Sequence, residues 1–338
     1  MAAERRRRSA AARAETPRPA AEPARDLDPG LVEAVRRGLS SSPRTLPPAL
    51  LYDDLGSALF EAITCLPEYE LTRADLRLLA AHAGEAAEAL GDLFEVLELG
   101  PGGGRKAAVL LAAVLRRQAK VRFVAVDVSP AALAECRRTL EPLGQVEVAL
   151  VRGAYLPGLR AATAAPAPGR RLALFLGSNL SNFDRREARA FLGDVRAYLS
   201  PEDGFLLATD LDKEPERLLP AYDDALGVTA AFNRNLLVRL NRDFGADFDL
   251  AAFAHEVRWS AAERRIEMHL RATRPCAVRV ERLGLELRFA ESETLWTESS
   301  HRFGLAELRG WAEAAGFRCE RQWVDRSWPF AHSLLVAR

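Results

Sequence analysis

Residues 93–115 read LFEVLELGPGGGRKAAVLLAAVL, and this stretch decides the fold. A short apolar run stops at a cluster of glycines, and a second apolar run with helical spacing follows. The first run reads as a buried strand over 93–100 and the second as a helix over 107–118. Glycines between them let the backbone approach a ligand closely. A helix N-terminus just beyond favours polar or anionic groups.

Working outward, the same grammar repeats. VRFVAVDVS (121–129) is a second strand and PAALAECRRTL (130–140) its helix, with Pro130 at the first helical position behind Ser129 as cap. QVEVALV (145–151) is a third strand, and 162–171 is a loop. LALFLGSNLSNF (172–183) is a fourth strand with its exit turn. REARAFLGDVRAYL (186–199) is a helix, and DGFLLATDL (203–211) a fifth strand. Strand–helix alternation at this spacing predicts a parallel sheet covered on both faces. Ligands then bind beyond the C-terminal strand ends, near the topological switch point. Upstream, 31–90 is helical in pattern, with Thr72 read as the cap of LTRADLRLLAAHAGEAAEAL (71–90). Downstream, 213–300 interrupts the alternation. It mixes helix with alternating strands, as in VRWSAAERRIEMHLRAT (257–273) and VRVERLGLELRFA (278–290). Within it YDDALGVTAAFNRNLL (222–237) is too polar and β-branched for a good core helix. LAELRGWAEAAG (305–316) then gives a helix, and FRCERQWVD (317–325) and HSLLVAR (332–338) give two closing strands. A C-terminal hairpin at the edge of a seven-stranded sheet resembles a class I methyltransferase more than a dehydrogenase.

Composition narrows the function classes. The formal net charge is zero, so there is no electrostatic footprint for nucleic acid. Cys65, Cys136, Cys276 and Cys319 are scattered without CxxC or Cys/His pairing, which argues against a disulfide framework or a zinc site and fits a reducing cytoplasm. His255, His269, His301 and His332 do not cluster at ligand spacing either, so no metal is expected and they read as structural or surface residues. No apolar run approaches the roughly 20 residues of a membrane span. The Ala-, Arg- and Pro-rich segment 1–28 lacks an apolar signal core and has little to bury. It reads as a disordered tail.

By itself the glycine cluster suits a dinucleotide, a phosphate or S-adenosylmethionine (SAM). Glu98, two residues before Gly100, and the C-terminal hairpin favour SAM. Asp127, at the end of the second strand, is placed to accept ribose hydroxyls.

Several segments, in order, carry a more specific signal: YDDLGSALFEAITCLPEYELTR (52–73), ELGPGGGRK, FLGSNLSNF, TDLDK, AYDDALGVTAAFNRNLL, ADFDLAAFAHEVRW, RRIEMHLRA and WTESSHRF. Together they closely resemble the bacterial histidine N-alpha-methyltransferases of ergothioneine biosynthesis, from about residue 35 to the C-terminus. The resemblance implies a class I SAM-methyltransferase fold, α/β with a Rossmann-like seven-stranded sheet, plus a second α+β domain that holds the amino acid. Beyond the tail over 1–28 read from composition, it implies substrate recognition by 29–75 and 213–300, and SAM binding by 76–212 and 301–338. It places Tyr52, Gly100, Lys106 and Asp127 on SAM, with Ala154 and Tyr155 beside the adenine. Tyr69, Asn182 and Tyr222 fall on residues that hold the amino-acid head group, and Gly177 and Asn179 border that pocket. Glu298 and Ser300 fall on the pair that hydrogen-bonds the imidazole, with Met268 packed beside the ring and Phe60 lining the pocket. No catalytic acid or base is implied. Tyr52 and Asn182 position the reactants. The expected reaction is trimethylation of the histidine α-amine to hercynine, by a cytoplasmic monomer with L-histidine as its small-molecule partner, and neither nucleic acid nor membrane.

Single residues have plainer readings. Glu298 alone would be a solvated acid, Met268 core filler, Tyr69 and Tyr222 half-buried aromatics, and Asn182 a cap for the next helix. The chain also departs from the family pattern. Ala154 stands where an acid usually meets the adenine amine, Asn179 replaces a frequent Thr, and Glu70 replaces a second aromatic. Two alternatives stay open: a methyltransferase of another amine, such as a tryptophan-like one, and a SAM-binding sensor without catalysis, which Ala154 alone favours.

Overall fold

The computed structural model describes residues 27–338. The expected disordered tail therefore falls, but for its last two residues, outside the described part. Of those two, Asp28 caps the first helix by accepting from Leu31 N at 2.9 Å.

The N-terminal part folds as α1 (Pro29–Ser40), a two-residue strand β1 (Arg44–Thr45), α2 (Asp54–Thr64) and the 21-residue α3 (Glu70–Leu90). The alternating region follows: β2 (Leu93–Leu99), α4 (Arg105–Leu115), β3 (Val121–Asp127), α5 (Pro130–Leu140), β4 (Val146–Arg152), α6 (Tyr155–Ala162), β5 (Arg170–Phe175), α7 (Arg185–Ala197) and β6 (Gly204–Asp210). The insertion holds α8 (Pro215–Leu218), α9 (Val228–Phe244), β7 (Phe253–Ser260), β8 (Arg265–Ala272), β9 (Cys276–Val280), β10 (Leu285–Phe289) and β11 (Thr294–His301). The chain closes with α10 (Leu305–Ala314), β12 (Phe317–Asp325) and β13 (Phe330–Ala337).

The large sheet has seven strands in the order β12-β13-β6-β5-β2-β3-β4. Strands β6 to β4 pair parallel, and β13 enters antiparallel to both β6 and β12. This mixed seven-stranded sheet with a C-terminal hairpin is the class I SAM-methyltransferase topology expected above. Helices cover both faces, so the inner strands are apolar on both sides. Leu97, Val124, Phe175 and Leu207 face α6, α7 and α10, while Val96, Phe123, Leu174 and Leu206 face the side of α3 and α4. The order reverses between β2 and β5, so the loops after these strands open a crevice there.

A second sheet, β1-β11-β8-β7, joins the N-terminal part to the insertion, because β1 pairs parallel with β11. A hairpin of β9 and β10 stands beside it.

Two readings of the sequence are corrected. Thr72 is not a cap: α3 starts at Glu70 with Tyr69 at the N-cap, which puts Thr72 inside the first turn. Residues 228–237 do belong to a well-buried helix, α9, despite their polarity. The side-chain nitrogens of its buried Asn233 and Asn235 are hydrogen-bonded, which offsets part of the desolvation that a polarity count penalises. Asn233 Nδ2 lies 2.9 Å from His255 Nδ1 and donates to His269 O, and Asn235 Nδ2 donates to Asp53 Oδ1 at 2.7 Å. Asp53 in turn caps α2 through Gly56 N. The histidines read as structural or surface residues fall on the structural side: His269, His301 and His332 are buried.

Candidate active site

All fifteen residues proposed from the sequence line two connected cavities at the switch point. The larger, of about 910 Å³, carries Tyr52, Gly100, Lys106, Asp127, Ala154 and Tyr155. The smaller, of about 40 Å³, carries Met268, Tyr222 and Ser300. Tyr52, Phe60, Tyr69, Gly177, Asn179, Asn182 and Glu298 line both.

The large cavity is built by the β2–α4 turn. Gly100 has φ +74° and takes Val126 O at 2.8 Å, and a Cβ there would stand 3.2 Å from both Tyr155 and Asn179. Only backbone fits between those side chains and a ligand. Asp127 ends β3. Burial raises its carboxyl, against the backbone N–H of Ser129 at 2.9 Å. Glu98 has both carboxylate oxygens buried without a partner, and burial pushes it up to about 8. Lys106 lies 3.3 Å from Asp75 Oδ2, which also accepts from Gly177 N at 2.7 Å, and His332 Nε2 sits 2.5 Å from Asp75 Oδ1. Asp75 thus ties the β5 exit turn, α4 and β13 together beneath the cavity. These groups fit SAM. A glycine turn and a helix N-terminus border the cavity, Asp127 lines it with a carboxyl that could accept from hydroxyls, and Tyr155, packed edge-on to Phe175, lines it as well.

The small cavity is an aromatic box. Tyr52 packs edge-on to Phe60 and Phe232 with centroids 5.7 and 5.8 Å away, and Phe60 packs on Tyr69 at 6.1 Å. Burial pushes the hydroxyls of Tyr52 and Tyr69 up, so they stay neutral. Glu298 sits opposite Met268 across β11 and β8, which sends both side chains to one face. The register slips between Trp296 and Glu298, and this bulge aims the carboxylate at the cavity. Burial, with no compensating cation, raises it to about 7. Asn182 closes a 3-10 turn that begins after Ser178 in the left-handed region, where Ser178 Oγ accepts from Asp210 N at 2.7 Å. The helix cap is Asp184, in a capping box with Glu187, so Asn182 is free of that duty. Tyr222 and Ser300, expected in different subsites, have their hydroxyls 2.7 Å apart. The two subsites adjoin.

Several residues at the site escaped the reading of the sequence. Arg302 is wholly buried behind Tyr222 and Ser300, and its Nε lies 2.9 Å from Asp210 Oδ2. Lys213 and Trp328 also meet Asp210. Phe232 completes the box, and Asp75 anchors Lys106. Arg302 stands inside the quoted WTESSHRF and Asp210 inside TDLDK. The motifs marked the place but not the role.

The family model for histidine-specific, SAM-dependent methyltransferases matches residues 31–337. Similar proteins include histidine N-alpha-methyltransferases of Mycolicibacterium smegmatis, 40% identical over 89% of this chain and 93% of the relative, and of Mycobacterium tuberculosis, 41% identical over 89% and 92%. Ergothioneine biosynthesis protein 1 of Neurospora crassa is 34% identical over 60% of this chain and 23% of its own length. With its glycine turn, its seven-stranded sheet and a match over nearly every described residue, the chain belongs to the family of histidine-specific, SAM-dependent methyltransferases.

Proposed function

We propose that the protein transfers methyl groups from three molecules of SAM to the α-amine of L-histidine, giving hercynine as the first step of ergothioneine biosynthesis. The observation that carries this reading is Glu298, a carboxylate without a cation at the wall shared by the aromatic box and the large cavity. An imidazole N–H would supply the missing partner through a charge-assisted bond. A phenyl or isobutyl side chain would leave the carboxylate desolvated and unpaired.

Methyl transfer from a sulfonium is an in-line displacement, so alignment of the amine lone pair with the methyl carbon supplies most of the rate. SAM, when bound, supplies the electrophilic methyl. The chain's own part is to hold and to exclude. Asn182 and the hydroxyls of Tyr52 and Tyr69, all lining both cavities, orient the head group between imidazole and sulfonium. The neutral phenols are poor nucleophiles and escape methylation. The amine loses its proton to solvent before it reacts, because only a free lone pair can attack the methyl carbon. Each of the first two transfers leaves an N-methylammonium and releases S-adenosylhomocysteine. A proton then leaves to solvent, and rotation about the Cα–N bond re-aims the regenerated lone pair. The third transfer leaves a trimethylammonium with no proton to lose.

In this reading 29–75 and 213–300 form the substrate-recognition domain, and 76–212 and 301–338 the SAM-binding domain. α3 runs unbroken across their boundary. The shared sheet of β1 and β11 supports grouping the N-terminal part with the insertion. The test is stoichiometric: purified protein with limiting L-histidine and excess SAM should release three S-adenosylhomocysteine per histidine consumed. A ratio of one would leave the substrate in place and overturn trimethylation.

A further inference from the structure

β11 carries one residue too many for its partner strand. It pairs with β8 as far as Trp296 opposite His269 and resumes with Glu298 opposite Met268, so Thr297 is the extra residue of a bulge. Strand side chains alternate between faces, so a slip of one residue exchanges them. In an unbroken register Thr297 would stand opposite Met268, and Ser299 opposite Ile266. Glu298 would stand opposite Glu267, on the face of Trp296 and His269, where like charges repel. With the bulge, Glu298 and Ser300 share the face of Met268 and Ile266 and line the small cavity.

Two side chains fasten this register. Thr297 is 1% exposed, and its Oγ1 donates to Met268 O at 2.9 Å. That bond ties the extra residue to the partner strand at a residue that itself lines the pocket. Trp296 Nε1 donates to Glu298 O at 2.9 Å and so spans the bulge. The indole is itself held in place. The His269 ring stacks on it with centroids 5.7 Å apart, and the Arg265 guanidinium lies 4.5 Å from its centroid. On the other side of β11, β1 pairs with Leu295 and Trp296, and Leu46 N donates to Trp296 O at 2.9 Å. Pairing with the N-terminal part therefore stops where the bulge begins.

We propose that Thr297 and Trp296 are positioning residues: by clamping the bulge they hold Glu298 and Ser300 on the cavity face of β11 and so set the preference for an imidazole side chain. The inference rests on histidine being the substrate. Both residues also line the large cavity, so an effect through Glu298 has to be separated from a direct effect on a ligand there.

A double-mutant cycle makes that separation. Thr297→Val keeps the branched shape and removes the hydroxyl. It should lower kcat/KM for histidine about 10- to 100-fold, chiefly through KM, the cost of misplacing a group by about 1 Å. In the Glu298→Ala background the same change should cost less than about threefold, because the group it positions is gone. Thr297→Ser, which keeps the hydroxyl, should hold KM within about threefold of the unsubstituted protein. Trp296→Phe keeps a ring for the stack and drops the N–H, and it carries the same cycle should Thr297→Val fail to fold. Equal losses in the two backgrounds, or no loss in a folded Thr297→Val protein, overturn the proposal while leaving histidine as substrate. No methylated histidine from the unsubstituted protein removes the functional reading and this inference with it.

Discussion

At the scale of the residue, the proposed specificity rests on Glu298, a buried carboxyl that has a measurable cost. Ala at 298 removes a charge-assisted bond of about 1.5–3 kcal/mol. KM for histidine should rise roughly 10- to 100-fold by that figure, while the Kd for SAM stays within about twofold. Equal losses in both, measured by calorimetry and steady-state kinetics, would refute an imidazole role. The cost shows in the absence of ligand. An ordinary glutamate ionises near 4.5 and Glu298 near 7. Between those values the unfolded chain has lost a proton that the folded protein keeps, so stability falls as pH rises through that window and stays lower above it. Glu298→Gln should therefore raise the Tm of the ligand-free protein at pH 8, by the equivalent of about 3 kcal/mol, and change it little at pH 4.5. A gain of equal size at both pH values would mean that the carboxylate is solvated. Glu298, Met268 and Asn182 were legible because they stand inside long, specific motifs. Arg302 and Asp75 were not. An isolated Arg or Asp in sequence reads as a solvated charge, and only the fold shows Arg302 paired with Asp210 and Asp75 with Lys106 and His332.

At the scale of the element, turns do most of the positioning. Gly177 leaves β5 with φ +74°, and a Cβ there would stand 2.6 Å from Lys106 Nζ. Gly177→Ala should strain the turn by about 1–3 kcal/mol and displace Lys106. Denaturant unfolding should show that loss, and SAM should bind about tenfold more weakly, the equivalent of 1.4 kcal/mol. A variant with full SAM affinity would mean that the Lys106–Asp75–Gly177 linkage does not shape the site. Apart from α6 (Tyr155–Ala162), which the sequence reading left unassigned, the strands and helices of the large sheet were readable from hydrophobic period, because each is covered on a defined face. α9 was not, since the side-chain nitrogens of its polar residues Asn233 and Asn235 donate to partners distant in sequence. The start of α3 was misplaced for a related reason: Tyr69, a poor capping residue that makes no side-chain cap bond, holds the N-cap position.

At the scale of the whole molecule, two sheets meet over one pair of cavities. The large sheet offers the glycine turn and Asp127, and the smaller sheet offers Glu298, Met268 and Ser300. Neither alone encloses both reactants, which explains why the N-terminal part and the insertion, far apart in sequence, pair through β1 and β11. Ala154 does line the large cavity, with Tyr155 beside it. In the proposed reading an adenine at that end would meet Tyr155 rather than a carboxylate at position 154. The most direct test of the account is mass spectrometry of the purified protein incubated with SAM and an equal mixture of all twenty amino acids. The account predicts one product, histidine carrying three additional methyl groups on its α-amine, with the other nineteen untouched. Methylation of a different amino acid, or of several without preference, would contradict it.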